Sequence, residues 1–275
     1  MKSPYNDFIK RLKLLISKKP ELITITLSNI FTMRLIGNKT HGDLAEIAMS
    51  EFINQYMYDF RSIHVGKDLY RAKSKEEDIK IINEITSEQF PVSLKAYGDG
   101  PLQLSTDKNF KMFPRLKKEG TKISDKQQIK RIFSDPAFSD FNKVNVLPLI
   151  YNEKINQCNI MVFDYEKAKE NTSLIQLEDR GRGRKHPVYR FYDQSGGYIC
   201  EVRYGGPSAN ALQRGLWTHT KNAIRYFDSI TGGWVDYSHN YTLVNLFSCA
   251  LVSSVKGHNN ALNKIKEDIE RLKRK

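Results

Sequence analysis

The segment Phe90-Pro91-Val92-Ser93-Leu94-Lys95-Ala96-Tyr97 runs directly into Gly98-Asp99-Gly100-Pro101. Such a cluster reverses the chain, because glycine reaches left-handed backbone angles and proline presets its own φ. An apolar run that ends in a turn of this kind reads as a β-strand. Upstream, Ile79, Ile81 and Ile82 follow Asp78 and supply a neighbouring strand, and Leu102-Gln103-Leu104-Ser105 adds a short one after the turn. Paired strands commit the chain to a sheet whose apolar face another layer must cover.

Helices provide that cover. Residues 6 to 18 set Phe8, Ile9, Leu12, Leu14, Leu15 and Ile16 among basic residues, a helical pattern that Lys18-Lys19-Pro20 terminates. A second helix begins after Gly42 and runs to about Phe60, apolar on more than one side and therefore buried. From Ile63 the period changes to that of strands. Arg115 to Lys122 reads as a solvated lysine-rich loop and residues 126 to 133 as a helix, while Val144 to Tyr151 and Ile155 to Tyr165 read as strands. Val188 to Tyr192 and Tyr198 to Tyr204 form a hairpin around Gly196-Gly197. Ser208 to Phe227 is expected to be helical with Trp217 inside it, Tyr241 to Val255 a buried strand or helix, and Ala261 to Lys275 a charged terminal helix. The expected fold is α/β, with a mixed central β-sheet flanked by helices. Without an internal repeat or long linker, residues 1–275 are expected to form a single domain.

Charge narrows the partners. The 275 residues carry 44 Lys and Arg against 31 Asp and Glu, a formal charge of +13. Excess cations on an ordered chain favour a polyanion, because each neutralised phosphate releases condensed counterions. The apolar stretches fall short of the roughly 20 residues a bilayer helix needs, so no membrane span is expected. The N-terminal residues do not read as a secretory signal, and Cys158, Cys200 and Cys249 are odd in number with no Cys-x-x-Cys pair. Disulfide and zinc frameworks are thus excluded, and a reducing cytoplasm fits. No glycine run has the strand-to-helix pattern of a phosphate loop, so no nucleotide cofactor is expected.

Chemistry concentrates around the first two strands. Alternation puts Ser93 and Lys95 on one face of their strand, and Asp78 opens the neighbouring one, so a carboxylate, a hydroxyl and an ammonium meet at one sheet edge. The upstream helix carries Glu46 and Glu51, either of which adds a carboxylate. Hard oxygen ligands of this kind hold Mg²⁺, the ion acidifies a bound water, and a lysine positions that water or stabilises developing charge. The grouping suits hydrolysis of a phosphodiester.

Across residues 42 to 105 the arrangement resembles the PD-(D/E)XK nuclease superfamily, specifically the type II restriction endonucleases. The resemblance implies a helix glutamate at Glu46, within Gly42-Asp43-Leu44-Ala45-Glu46, the strand aspartate at Asp78 and the lysine at Lys95. Ser93 departs from it, standing where the family usually carries Asp or Glu. Glu46 or Glu51 would then compensate, with the carbonyl of Leu94 as a further metal ligand; helical placement favours Glu46, and a register shifted by one would exchange Asp78 for Glu77. The resemblance further implies double-stranded DNA as substrate and a homodimer that cuts both strands.

The catalytic core is expected at about 40–165 and the DNA-recognition elements at about 178–245. Arg180, Arg182, Arg184 and Lys185, separated by glycines, supply cations for phosphate. Asn210, Gln213 and Arg214, at the start of the expected helix, supply base-reading types, with Lys221 nearby. Trp217 and Trp234 are expected in the core. His64, His186, His219, His239 and His258 show no metal-ligand spacing and read as surface or hydrogen-bonding residues. The alternatives are a non-catalytic DNA-binding protein and a repair or junction nuclease of the same superfamily.

Overall fold

The structure, a computed structural model, describes residues 3–36, 41–65, 78–98, 100–107, 109–138, 145–179, 186–204, 214–243 and 245. In chain order the elements are α1 (Pro4–Lys18), α2 (Pro20–Ile36), α3 (His41–Tyr56), β1 (Phe60–His64), β2 (Ile79–Asn83), β3 (Gln89–Tyr97), β4 (Pro101–Ser105), α4 (Met112–Glu119), β5 (Lys122–Ile123), α5 (Lys126–Ser134), β6 (Val146–Asn152) and β7 (Gln157–Phe163). They continue with α6 (Tyr165–Asn171), β8 (Thr172–Glu178), β9 (Val188–Asp193), β10 (Tyr198–Arg203), β11 (Gly215–His219), a 3₁₀ turn at Ile224–Tyr226, β12 (Phe227–Ser229) and β13 (Val235–Asp236).

Among the described residues the strands build two sheets. The first runs β1-β2-β3-β6-β7-β12, with β13 also on β7; β3 and β6 are parallel and the other pairs antiparallel, so the sheet is mixed. The three N-terminal helices cover it: Phe8, Leu12 and Ile16 of α1, Ile23 and Leu27 of α2, and Met49 and Ile53 of α3 share one apolar core with Ile79, Ile81, Val92 and Leu94. The second sheet, β4-β11-β10-β9-β8-β5, is antiparallel and packs on a separate core with Phe113, Leu116, Ile132 and Phe133 of α4 and α5. The expected mixed α/β architecture with a helix-flanked central sheet is what the chain forms, and it is compatible with a restriction-endonuclease-like core.

Several local expectations are corrected. The helix expected to reach Phe60 stops at Tyr56, and Phe60 opens β1 by placing its ring edge-on to Phe8 at 5.4 Å. Tertiary pairing with β2 overrides the helical pattern there. Pro20 ends α1 and also starts α2, a first-turn position where its missing N–H has no partner to lose. Arg115 to Lys122 is mostly helix rather than loop: Asp107 accepts from the amides of Lys111 (2.9 Å) and Met112 (2.8 Å), and α4 buries Met112, Phe113 and Leu116. Ser208 to Phe227 is not one helix. Gly215 has φ +106, where a Cβ would collide with the carbonyl of Ser105, and this close approach starts β11 against β4. Trp234 is 46% exposed rather than buried, and Trp217 is half-buried with the Arg203 guanidinium 4.3 Å from its ring centre. No described helix is long and apolar enough to cross a membrane. Most of Tyr241 to Val255, and all of Ala261 to Lys275, lie outside the described residues.

Candidate functional site

The β2–β3 hairpin decides which residues face each other. Its turn is tied by Asn83, whose side-chain oxygen accepts from the amides of Ile85 (3.0 Å) and Thr86 (3.1 Å). The antiparallel register then pairs Ile79 with Val92, which brings Asp78, just before β2, opposite Ser93. There the ladder stops and a side chain replaces it. Asp78 Oδ2 accepts from Ser93 Oγ at 2.8 Å and from the Leu94 amide at 2.7 Å, and Lys95 Nζ lies 3.7 Å from the same oxygen. On the other flank, the amide of Val65 donates to the Asp78 carbonyl at 3.1 Å.

The carbonyl of Leu94 follows from strand geometry. Ser93 donates its amide to Asn145 at 2.8 Å, toward β6, so the N–H and C=O of Leu94 leave β3 on the opposite side, where the Asp78 carboxylate sits. Asp78, Ser93, Leu94 and Lys95 thus converge where β2 begins. Ser93 is 8% exposed while the Lys95 side chain is 40% exposed, so the hydroxyl is committed to Asp78 and the ammonium faces solvent.

Helix α3 brings a further component. Glu46, Ser50 and Asn54 stand at i, i+4 and i+8 on one helical face, and that face lies along the edge strand β1. Asn54 brackets the backbone of Ser62, accepting from its amide at 2.7 Å and donating to its carbonyl at 3.1 Å. Ser50 Oγ bonds Ser62 Oγ at 3.0 Å, and Glu46 Oε2 lies 3.3 Å from His64 Nε2. An amide side chain thereby takes the place of a further strand at the sheet edge. Burial raises the Glu46 carboxyl above its ordinary range and the negative charge of Asp78 raises it further, with His64 opposing both. A carboxyl whose proton affinity a neighbouring carboxylate raises marks a place where a cation is favoured.

Of the two glutamates, Glu46 is the one whose carboxyl feels the Asp78 charge; Glu51 is exposed, on a different side of α3 from Glu46, Ser50 and Asn54. Among the described residues no three His, Cys, Asp or Glu side chains form a metal cage. The available donors are two carboxylates and a carbonyl. Such a set matches Mg²⁺, which keeps several waters and takes one or two carboxylates together with substrate phosphate oxygens.

The expected DNA contacts are placed less fully. Arg180, Arg182, Arg184, Lys185, Asn210 and Gln213 lie outside the described residues, as does Glu77. Arg214 does not start a helix but precedes β11, with its guanidinium 3.6 Å from the Phe110 ring centre and its carbonyl accepting from Gln103. Lys221 is exposed at a groove of about 340 Å³ that Ile155, Ile224 and Trp234 also line. Sequence reasoning missed His64, Ser62 and the Ser50–Asn54 pair. The signal was a polar stripe at four-residue spacing on an otherwise apolar helix. Comparison with family models, curated proteins and solved structures gives no match.

Proposed function

We propose that this chain is a Mg²⁺-dependent nuclease of the type II restriction kind, hydrolysing phosphodiester bonds in double-stranded DNA. The observation that carries the reading is the meeting of Asp78, Ser93 and Lys95 at the start of β2, with Lys95 Nζ 3.7 Å from the Asp78 carboxylate and Glu46 close enough for Asp78 to raise its proton affinity.

Asp78, Glu46 and the Leu94 carbonyl would hold the ion. When bound, Mg²⁺ supplies Lewis acidity to a phosphate oxygen and lowers the pKa of a coordinated water. Ser93 donates to Asp78 and keeps that carboxylate turned toward β3, a positioning role in place of a metal-binding one. Lys95, half-exposed and beside Asp78, offers an ammonium to the negative charge that grows on the phosphoryl group during attack. The net charge of +13 supports attraction to a polyanion. Cutting both strands of a duplex requires two such sites, which a homodimer supplies; with DNA as substrate, the reading places the protein in the cytoplasm.

Incubating the protein with unmodified plasmid and Mg²⁺ tests this, with fragment ends mapped and Lys95→Ala run in parallel. Discrete fragments from the wild type and none from Lys95→Ala support restriction cleavage. Cleavage confined to branched DNA points to a junction nuclease instead. Ser93 standing where the family has an acid favours a second reading, a non-catalytic DNA-binding protein; an uncut plasmid that is still bound upholds it.

A further inference from the structure

The three contacts between α3 and β1 do more than seal a sheet edge. They run in order toward the reactive end: Asn54 to the backbone of Ser62, Ser50 to the hydroxyl of Ser62, then Glu46 to His64. The same strand also fixes Asp78, because His64 pairs with Ile79 and the Val65 amide holds the Asp78 carbonyl at 3.1 Å. A single strand end therefore touches both acidic residues of the site, Glu46 at its carboxylate and Asp78 at its backbone carbonyl. His64 is 35% exposed at its side chain and belongs to neither apolar core, so packing does not explain its place.

We propose that His64 is a positioning residue: its Nε2–H holds Glu46 Oε2 and so fixes the carboxylate that, with Asp78, would take a divalent cation. This rests on the metal-site reading above and adds to it a residue that touches neither substrate nor ion. Losing the bond frees Glu46 to rotate about its side-chain torsions, and the cation must then order the carboxylate on binding. Removing an outer partner of a metal ligand typically weakens metal affinity about 10–100-fold.

The test uses the full-length protein and Mn²⁺ alone as the probe, with free hexaaqua-Mn²⁺ followed by electron paramagnetic resonance. The variants are His64→Ala and His64→Gln, since a glutamine amide reaches nearly as far as imidazole Nε2 and donates a similar bond. We expect His64→Ala to weaken Mn²⁺ binding at least about tenfold and His64→Gln to restore it to near wild type, with thermal unfolding midpoints of the metal-free proteins nearly equal. Equal Mn²⁺ affinity in wild type and His64→Ala overturns the proposal. So does a His64→Gln variant as weak as His64→Ala, which would make the imidazole itself a ligand, and so does a wild type that binds no Mn²⁺. Plasmid cleavage in parallel separates this from the nuclease reading. Cleavage that needs Lys95 but ignores His64 refutes the positioning role alone. Mn²⁺ affinity that follows His64 without any DNA cleavage upholds it and removes the nuclease.

Discussion

Replacing Ser93 with aspartate puts back the acid that the restriction-enzyme pattern carries, and the structure says what this does before any metal arrives. Ser93 Oγ lies 2.8 Å from Asp78 Oδ2, so the new carboxylate would face Asp78 at about 4 Å. Two unit charges about 4 Å apart repel by about 4 kcal/mol at an effective dielectric of about 20. Loss of the serine hydrogen bond adds about 1 kcal/mol, and Lys95, 3.7 Å from Asp78, offsets part of the repulsion. The metal-free Ser93→Asp protein should therefore be about 3–4 kcal/mol less stable near pH 8. Taking up a proton would relieve the pair, at about 5.5 kcal/mol near pH 8 but only about 1.5 kcal/mol near pH 5. The folded-state pKa of the pair is thus raised above its unfolded value, so the deficit shrinks to about 1–2 kcal/mol as pH falls and grows as pH rises. Mg²⁺ at about one hundred times its Kd would return about 2.7 kcal/mol. Urea unfolding of both proteins in chelator at the two pH values, then with Mg²⁺, measures each quantity. If Ser93→Asp unfolds within about 1 kcal/mol of wild type near pH 8 in chelator, side chain 93 does not face Asp78 and the site as built is wrong.

Glu46 is raised above its ordinary pKa, so its ionised form costs stability once pH exceeds that range; Glu46→Gln should stabilise the metal-free protein at neutral pH, and the gain should vanish in acid, which thermal melts across pH will read. In the second sheet Glu201 is 1% exposed and accepts from Arg203 Nε at 2.6 Å and Arg190 Nε at 3.2 Å. Arg190 keeps Glu178 at 2.8 Å, and both guanidiniums are partly solvated, so Glu201→Gln should cost about 2–4 kcal/mol in urea unfolding, and a loss under about 0.5 kcal/mol would contradict the pairing. Gly215→Ala combines a positive φ with a collision against Ser105 and should destabilise by more than about 2 kcal/mol, detected as a lower urea midpoint with unchanged slope.

The candidate site residues of β3 were legible because their arrangement is short-range. A strand, an alternating Ser93 and Lys95, and a turn at Gly98-Asp99-Gly100-Pro101 are properties of consecutive residues, and Asp78 needed only one hairpin register to join them. The errors have two sources. Charged residues disguised α4, whose apolar face consists of only Met112, Phe113 and Leu116. Apolar periodicity between Ser208 and Phe227 could not reveal that Gly215 lies against the Ser105 backbone from another strand.

Residue order by itself determined that strands of this chain must pair near residue 94, that helices must cover them, and that a carboxylate and an ammonium would share one sheet edge. Tertiary structure decided that Ser93 donates to Asp78 and that His64 reaches the site, and it put Glu51 in solvent on a different side of α3 from Glu46, Ser50 and Asn54. The physical reason is that hydrogen bonds along a strand follow local alternation, whereas the choice of helix face depends on a distant edge strand. For α3 that strand is β1, and the bonds from Ser50 and Asn54 to Ser62 settle which glutamate looks inward.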